Sequence, residues 1–315
     1  MELNRGPLCD LTMGIIGAGS LGFALANGLN NSGYTVTGVW TRTFSRTQTL
    51  IPHLPDAIPC KHMQEVADNS QLIFITVPDD NITEVADSIH WKNGQFVIHC
   101  SGIHPKGILK NAEQMGAFTG GFHPLQSFSR FKFEPQLFKG ITFGIDAQNP
   151  LFGILESIGH SLGGKSISIT GKDRVLYHAS ATTTCALLVV LIDLAANLWD
   201  RFQTPFISES PTGLNALIPL IRETLNNMEV SGPVNALTGP FVRGDIGTIK
   251  GHIEALEEED PELLEIYGLL GIASLPLAKQ KGNLTLQRIE EIRRLLSEIS
   301  VQKCKTTSPE SFRPT

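Results

Sequence analysis

The pattern Gly17-Ala18-Gly19-Ser20-Leu21-Gly22 stands directly behind an apolar run at residues 13–17 and opens a helical stretch at 20–30. GxGxxG alone is a weak signal, but between a strand and a helix it specifies a particular turn. Gly17 permits the tight reversal, Gly19 lets a pyrophosphate approach the backbone, and Gly22 lets the helix lie close on the sheet. Ser20 and Leu21 begin the helix, whose free N–H groups and positive dipole end would face phosphates. The alternative is a glycine-rich turn with no ligand.

The rest of the first half repeats this alternation. Residues 34–40, 71–77, 95–100, 118–123 and 141–145 read as strands, with helical segments at 63–68, 81–89 and 106–114 between them. That order predicts βαβ units and an α/β domain with a mostly parallel, doubly wound sheet. Residues 72–77 and 96–98 are almost continuously apolar, as central parallel strands covered on both faces should be. Strand signals stop after residues 165–170. The remaining candidates are helices at 173–202, 213–227, 246–258, 261–279 and 286–300, the last with Thr285 as N-cap. We therefore expect an α/β domain over 11–170, an all-α domain over 171–300 and a disordered polar tail over 301–315.

Lys and Arg number 25 against 31 Asp and Glu, a net charge of −6. Neither nucleic acid nor an anionic membrane is expected as the main partner of an acidic chain. Cys9, Cys60, Cys100, Cys185 and Cys304 are odd in number, scattered and free of any CxxC. That predicts no disulfide framework, no metal site and a reducing, cytoplasmic setting. Residues 1–12 carry Glu2, Arg5 and Asp10 and no apolar core, so no signal peptide is expected. Residues 179–199 are apolar over a length that raises a membrane span. Thr182, Thr183, Thr184 and Asp193 interrupt them, and we read a helix buried on all sides by other helices.

The second strand ends in Trp40-Thr41-Arg42-Thr43, where an NAD-binding chain usually places an acid for the ribose hydroxyls. A guanidinium at Arg42 flanked by the hydroxyls of Thr41 and Thr43 suits a 2′-phosphate, which favours NADP(H). Val77-Pro78 and Ser101-Gly102 close the next two strands, where open α/β sheets bind ligands. Pro78 could pack on the nicotinamide ribose, and Ser101 could offer a hydroxyl and an N–H near the reacting carbon. Cys100 reads as buried core. His123 ends the fifth strand and is a candidate for the substrate pocket. In the helical half, His178 and Thr182 share one helix face at i, i+4. His178 is a candidate proton donor, with a structural histidine as the alternative. Thr238-Gly239 leads to Arg243 and Asp245, and then to Thr248 and His252. A Gly/Pro loop opening a helix suits an anion, and Arg243 could clamp a carboxylate. The alternative is a capped turn with Arg243 paired to Asp245. A substrate cleft between the two domains is expected on these grounds.

GIIGAGSLG, TVPDD, HCSG, FHPLQSF, YHASA and ALTGPFVRGD, in this order from Met13 to about Leu295, resemble the Rossmann-like proteins that carry a DUF2520 domain. That family is similar in build to pyrroline-5-carboxylate reductases, ketopantoate reductases and β-hydroxyacid dehydrogenases. The resemblance implies NADP binding, a C-terminal domain of the 6-phosphogluconate-dehydrogenase type, and a homodimer formed through it. It also implies an NADPH-dependent oxidoreductase acting on a small carbonyl or imine acid, ketopantoate being one relative's substrate. A non-catalytic NADP-binding or regulatory module on the same fold is the alternative. Relatives often carry an asparagine eight residues after the YHA histidine; here that position is Ala186.

Overall fold

A computed structural model describes residues 11–128, 136–202 and 212–306. The first half runs β1 (Thr12–Ile16), α1 (Ser20–Asn31), β2 (Thr35–Trp40), α2 (Phe44–Leu50), β3 (Ile58–Pro59), α3 (Met63–Asp68), β4 (Leu72–Ile75), α4 (Ile82–Asp87), β5 (Phe96–His99), α5 (Lys110–Gln114), β6 (Phe118–Pro124), β7 (Thr142–Asp146), α6 (Leu151–Ser161) and β8 (Lys165–Ser168). Helices follow: α7 (Asp173–Thr184), α8 (Ala186–Trp199), α9 (Gly213–Ala236), α10 (Pro240–Arg243), α11 (Ile246–Glu259), α12 (Pro261–Lys281) and α13 (Leu286–Thr306).

The eight strands form one sheet in the order β3-β2-β1-β4-β5-β6-β7-β8, parallel throughout except for the β6–β7 pair. Successive side chains alternate between its faces. Ile15, Phe74 and Ile98 join Phe23 and Leu25 of α1 and Leu155 of α6 on one side. Ile16, Ile73, Ile75 and Val97 join Val66 of α3 and Ile82 of α4 on the other. With helices on both faces, the central strands have no polar side, which is why Leu72–Ile75 is buried at every position. This is the expected α/β Rossmann arrangement followed by a helical region.

By their contacts the residues divide into two compact units, Met1–Leu188 and Val189–Thr315. The first therefore includes α7. The second has its own core of Ile249 from α11, Leu264 and Leu275 from α12, and Ile292 and Leu296 from α13. The Thr285 hydroxyl accepts from the Arg288 N–H, as an N-cap does.

Several expectations need correction. The sequence reading missed α2, β3 and α6. The single helix expected at 173–202 breaks at Cys185. The helix expected to end at residue 227 runs to Ala236, with a break at Gly232, where φ is +73°. The tail expected to be disordered continues α13 as far as Thr306; residues 307–315 lie outside the described residues. The apolar stretch around α8 is expected to be buried on all sides, yet among the described residues Leu187, Val189 and Val190 are 54%, 65% and 51% exposed. Two helical stretches, Asp173–Trp199 and Pro261–Lys281, are long and apolar enough to cross a membrane.

Candidate active site

The order of strands reverses between β1 and β4, and the carboxyl ends of these two strands frame a crevice. Gly17, just past β1, sits at φ +105° and donates its N–H to the Trp40 carbonyl at 2.8 Å. A Cβ there would come within 2.9 Å of the Thr76 and Val77 backbone, so only glycine fits. The Thr76 hydroxyl donates to the Gly17 carbonyl and locks the turn to β4. A Cβ on Gly22 would strike that same carbonyl, so Gly22 serves the close packing of α1. Gly19 differs: a Cβ on it would meet nothing within 4 Å. It is the N-cap of α1 and supplies no side-chain acceptor to the first helical N–H groups, those of Ser20 and Leu21 among them.

This open backbone edge lines a cavity of about 480 Å³ together with Thr41, Arg42, Thr43, Val77 and Pro78. Arg46, Asn81 and Glu84 line it as well, and the sequence reading had singled out none of them. Arg46 lies on α2, one turn beyond Arg42, so missing that helix hid the second guanidinium. Thr41 requires a correction. Its hydroxyl donates to the Thr43 carbonyl at 2.8 Å and accepts the Thr43 N–H at 3.1 Å, so it shapes the turn that presents Arg42. The residues present fit a dinucleotide: an open glycine edge at a helix N-terminus for pyrophosphate, and two arginines where the adenosine ribose would lie.

A second cavity, of about 550 Å³, lies in the same unit and is lined by His123, Gln126, Ser127, His178, Thr182 and Ala186, among others. His123 and the helix pair His178 and Thr182, predicted from separate parts of the sequence, thus share one space, and the Ala186 position opens onto it. The His123 and His178 rings stand edge to face with centroids 6.1 Å apart. His123 Nδ1 is 2.8 Å from the Tyr177 hydroxyl. A Cβ on Gly102 would lie 2.5 Å from His178 Cδ2 and 2.9 Å from His123 Nε2, so the missing side chain makes room for both rings. Thr182 donates its hydroxyl to the His178 carbonyl at 3.0 Å.

Ser101 departs from expectation. Its N–H donates to His99 Nδ1 at 3.2 Å, and its hydroxyl accepts from the N–H groups of Ile103 and His104. The N–H and the acceptor side of the hydroxyl are thus used inside the turn, and the residue is buried. Its carbonyl accepts from Nη2 of Arg174, a fully buried residue that the sequence analysis did not single out. Burial sets the ionisation here. It lowers His99 to about 3, with the nearby charges of Arg174 and His104 adding to it. It lowers His123 to about 4, aided by His178 and Arg174. It raises Tyr177 to about 12. His123 and Tyr177 are therefore both uncharged near neutral pH. Cys100 is buried and free, as expected.

The remaining candidates lie in the second unit. Thr238 precedes Gly239, whose φ of +98° turns the chain into α10. Arg243 Nε donates to Asp245 Oδ2 at 2.8 Å, which occupies the carboxylate that could have capped α11. His252 Nδ1 lies 2.9 Å from the Tyr267 hydroxyl.

Residues 7–124 match the Rossmann-like domain, and residues 141–273 match DUF2520, a domain of unknown function. The chain thus carries both domains in that order. No curated protein matches it. Among solved structures it resembles a Bacteroides fragilis protein assigned as an NADP oxidoreductase, at 26% identity and a TM-score of 0.69 over 85% of this chain and 99% of that one. A Thermotoga maritima protein aligns at 20% identity and a TM-score of 0.62 over 93% and 99%. Plasmodium falciparum pyrroline carboxylate reductase with NADP bound aligns at 15% identity and a TM-score of 0.55 over 87% and 98%. The last two likenesses concern the fold alone.

Proposed function

We propose that this chain, a Rossmann-like domain followed by a DUF2520 domain, is an NADPH-dependent reductase of a small carbonyl or imine acid. One observation carries the reading: the open Gly19 edge and the guanidinium groups of Arg42 and Arg46 line the same cavity at the carboxyl ends of β1 and β4. The likeness to the Bacteroides fragilis protein supports it. Gly17, Gly19 and the first N–H groups of α1 would hold the pyrophosphate. Arg42, with Arg46 beside it, would hold the 2′-phosphate by charge-assisted hydrogen bonds. Val77 and Pro78 would wall the cleft.

When bound, the cofactor supplies the hydride. The chain must supply the proton and hold the substrate. His178 faces the second cavity and would give its proton to the substrate oxygen or nitrogen as the carbon is reduced, then regain one from water. His123, kept uncharged by burial, would accept or donate a hydrogen bond to the substrate without competing for that proton. Arg243 would clamp a substrate carboxylate only after leaving Asp245.

NADPH oxidation against a panel of 2-oxo acids and cyclic imines tests the reading. Turnover of at least one panel member is expected. Tight NADPH binding with no turnover of any would favour a non-catalytic binding module on the same fold.

A further inference from the structure

We propose that Arg174 is the positioning residue of this site: its guanidinium, bonded to the Ser101 carbonyl, fixes α7 over the ends of β5 and β6 and so holds Tyr177 and His178 against His123. The inference rests on the reductase reading for its catalytic consequence, though not for its geometry.

The first support is the cost of the group. Arg174 is 0% exposed, and an arginine is almost never fully buried unless paired. Yet it makes no ion pair among the described residues, and its Nε and Nη1 have no hydrogen-bond partner. Asp146 and Asp79 act on it only as more distant charges. An apolar side chain of similar volume would fill this space at lower cost, so packing alone does not account for an arginine here.

The second support is spacing. Residues 174, 177 and 178 stand at i, i+3 and i+4 on α7 and share one face. Each meets a different part of the strand ends. Arg174 reaches Ser101, Tyr177 reaches His123, and His178 lies over Gly102. Fixing the first contact sets the rotation and height of the helix for the other two.

The third support is the fit of the strand ends. A Cβ on Gly121 of β6 would stand 3.3 Å from Arg174 Nη1 and 3.1 Å from His99 Nε2, tighter than most real contacts. The groups facing His123 are Tyr177, His178 and Arg174 from α7, His99 from β5, and the Gly102 turn. Arg174 is the one permanently charged group among them. It disfavours the imidazolium of His123, in the same direction as burial does.

The test compares native protein with Arg174→Met and Arg174→Lys. The His123 ring is followed by NMR during a pH titration, its signal identified by its loss in His123→Asn, and the pH profile of kcat is recorded with the best panel substrate. Arg174→Met should raise the His123 midpoint, since it removes a positive charge that opposes the imidazolium. It should lower kcat by about 10²-fold, the usual effect of misplaced groups, with NADPH affinity kept, because Arg174 does not line the dinucleotide cleft. Arg174→Lys keeps the charge and loses the planar fork, so the midpoint should stay near native while kcat still falls. An unchanged His123 midpoint in Arg174→Met would overturn the proposal. So would full activity in both variants. If Arg174→Met does not fold, a native kcat in Arg174→Lys overturns it by itself. The NMR arm needs no substrate, so failure of the reductase reading would leave the geometric claim tested separately.

Discussion

His123 Nδ1 and the Tyr177 hydroxyl lie 2.8 Å apart although 54 residues separate them in the chain. The bond ties the end of β6 to the middle of α7. It joins two groups that burial keeps uncharged, one by lowering a base to about 4 and the other by raising an acid to about 12. His123 thus presents an uncharged ring to the second cavity near neutral pH, with His178 lining the same space.

Acid should destabilise the protein through these buried rings. Native His123 and His99 titrate near 4 and 3, against an ordinary 6.5. Between those values the unfolded chain binds more protons than the native one. Their contribution is whole above about pH 6.5 and is lost as pH falls toward the native values. Each ring adds a slope of up to about 1.4 kcal/mol per pH unit. Urea unfolding free energies from pH 7 to pH 5 should fall accordingly, and His123→Gln should flatten the slope. An identical slope in that variant would contradict the assignment.

Gly102→Ala should act on chemistry, not on the cofactor. The added methyl would force the His123 and His178 rings apart. We expect kcat to drop by about 10²-fold with NADPH affinity kept. Loss of NADPH affinity instead would contradict this and favour the expected role of Gly102 as a cofactor contact.

His178→Ala should lower kcat by about 10²–10⁴-fold, the usual size of a general-acid effect. Arg243→Ala should mainly raise KM if the guanidinium exchanges Asp245 for a substrate carboxylate. An unchanged KM would remove Arg243 from the site.

Leu187, Val189 and Val190 leave apolar side chains of α8 open to water. Covering such side chains would favour association. With the resemblance pointing to a dimer formed through the helical domain, light scattering at micromolar concentration without detergent should report a homodimer. A monomer would contradict it.

What the sequence disclosed and what it hid follow from locality. The turn at Gly17, the strands at residues 72–75 and 96–99, and the Thr285 cap are written in neighbouring residues, and all appear in the structure. So is the α3 segment, Met63–Asp68. β3 spans only two residues, too few to show a period. Arg174 lay beyond reach for a different reason. An arginine in the first turn of a helix has no local mark of burial; only the convergence of β5, β6 and α7 encloses it. The same holds for Ser101, whose donor and acceptor are consumed by partners set by the turn's backbone. His123, His178 and Thr182 were each legible as polar groups near an element's end, but their shared cavity was not.

The most direct test of the account is a calorimetric titration of NADPH and NADH into the native protein and Arg42→Ala. NADPH should bind native protein more tightly than NADH. Arg42→Ala should lose about 1.5–3 kcal/mol of NADPH affinity, the worth of hydrogen bonds to a charged group, with NADH affinity nearly unchanged. Equal losses for both cofactors, or no binding of either, would contradict the account.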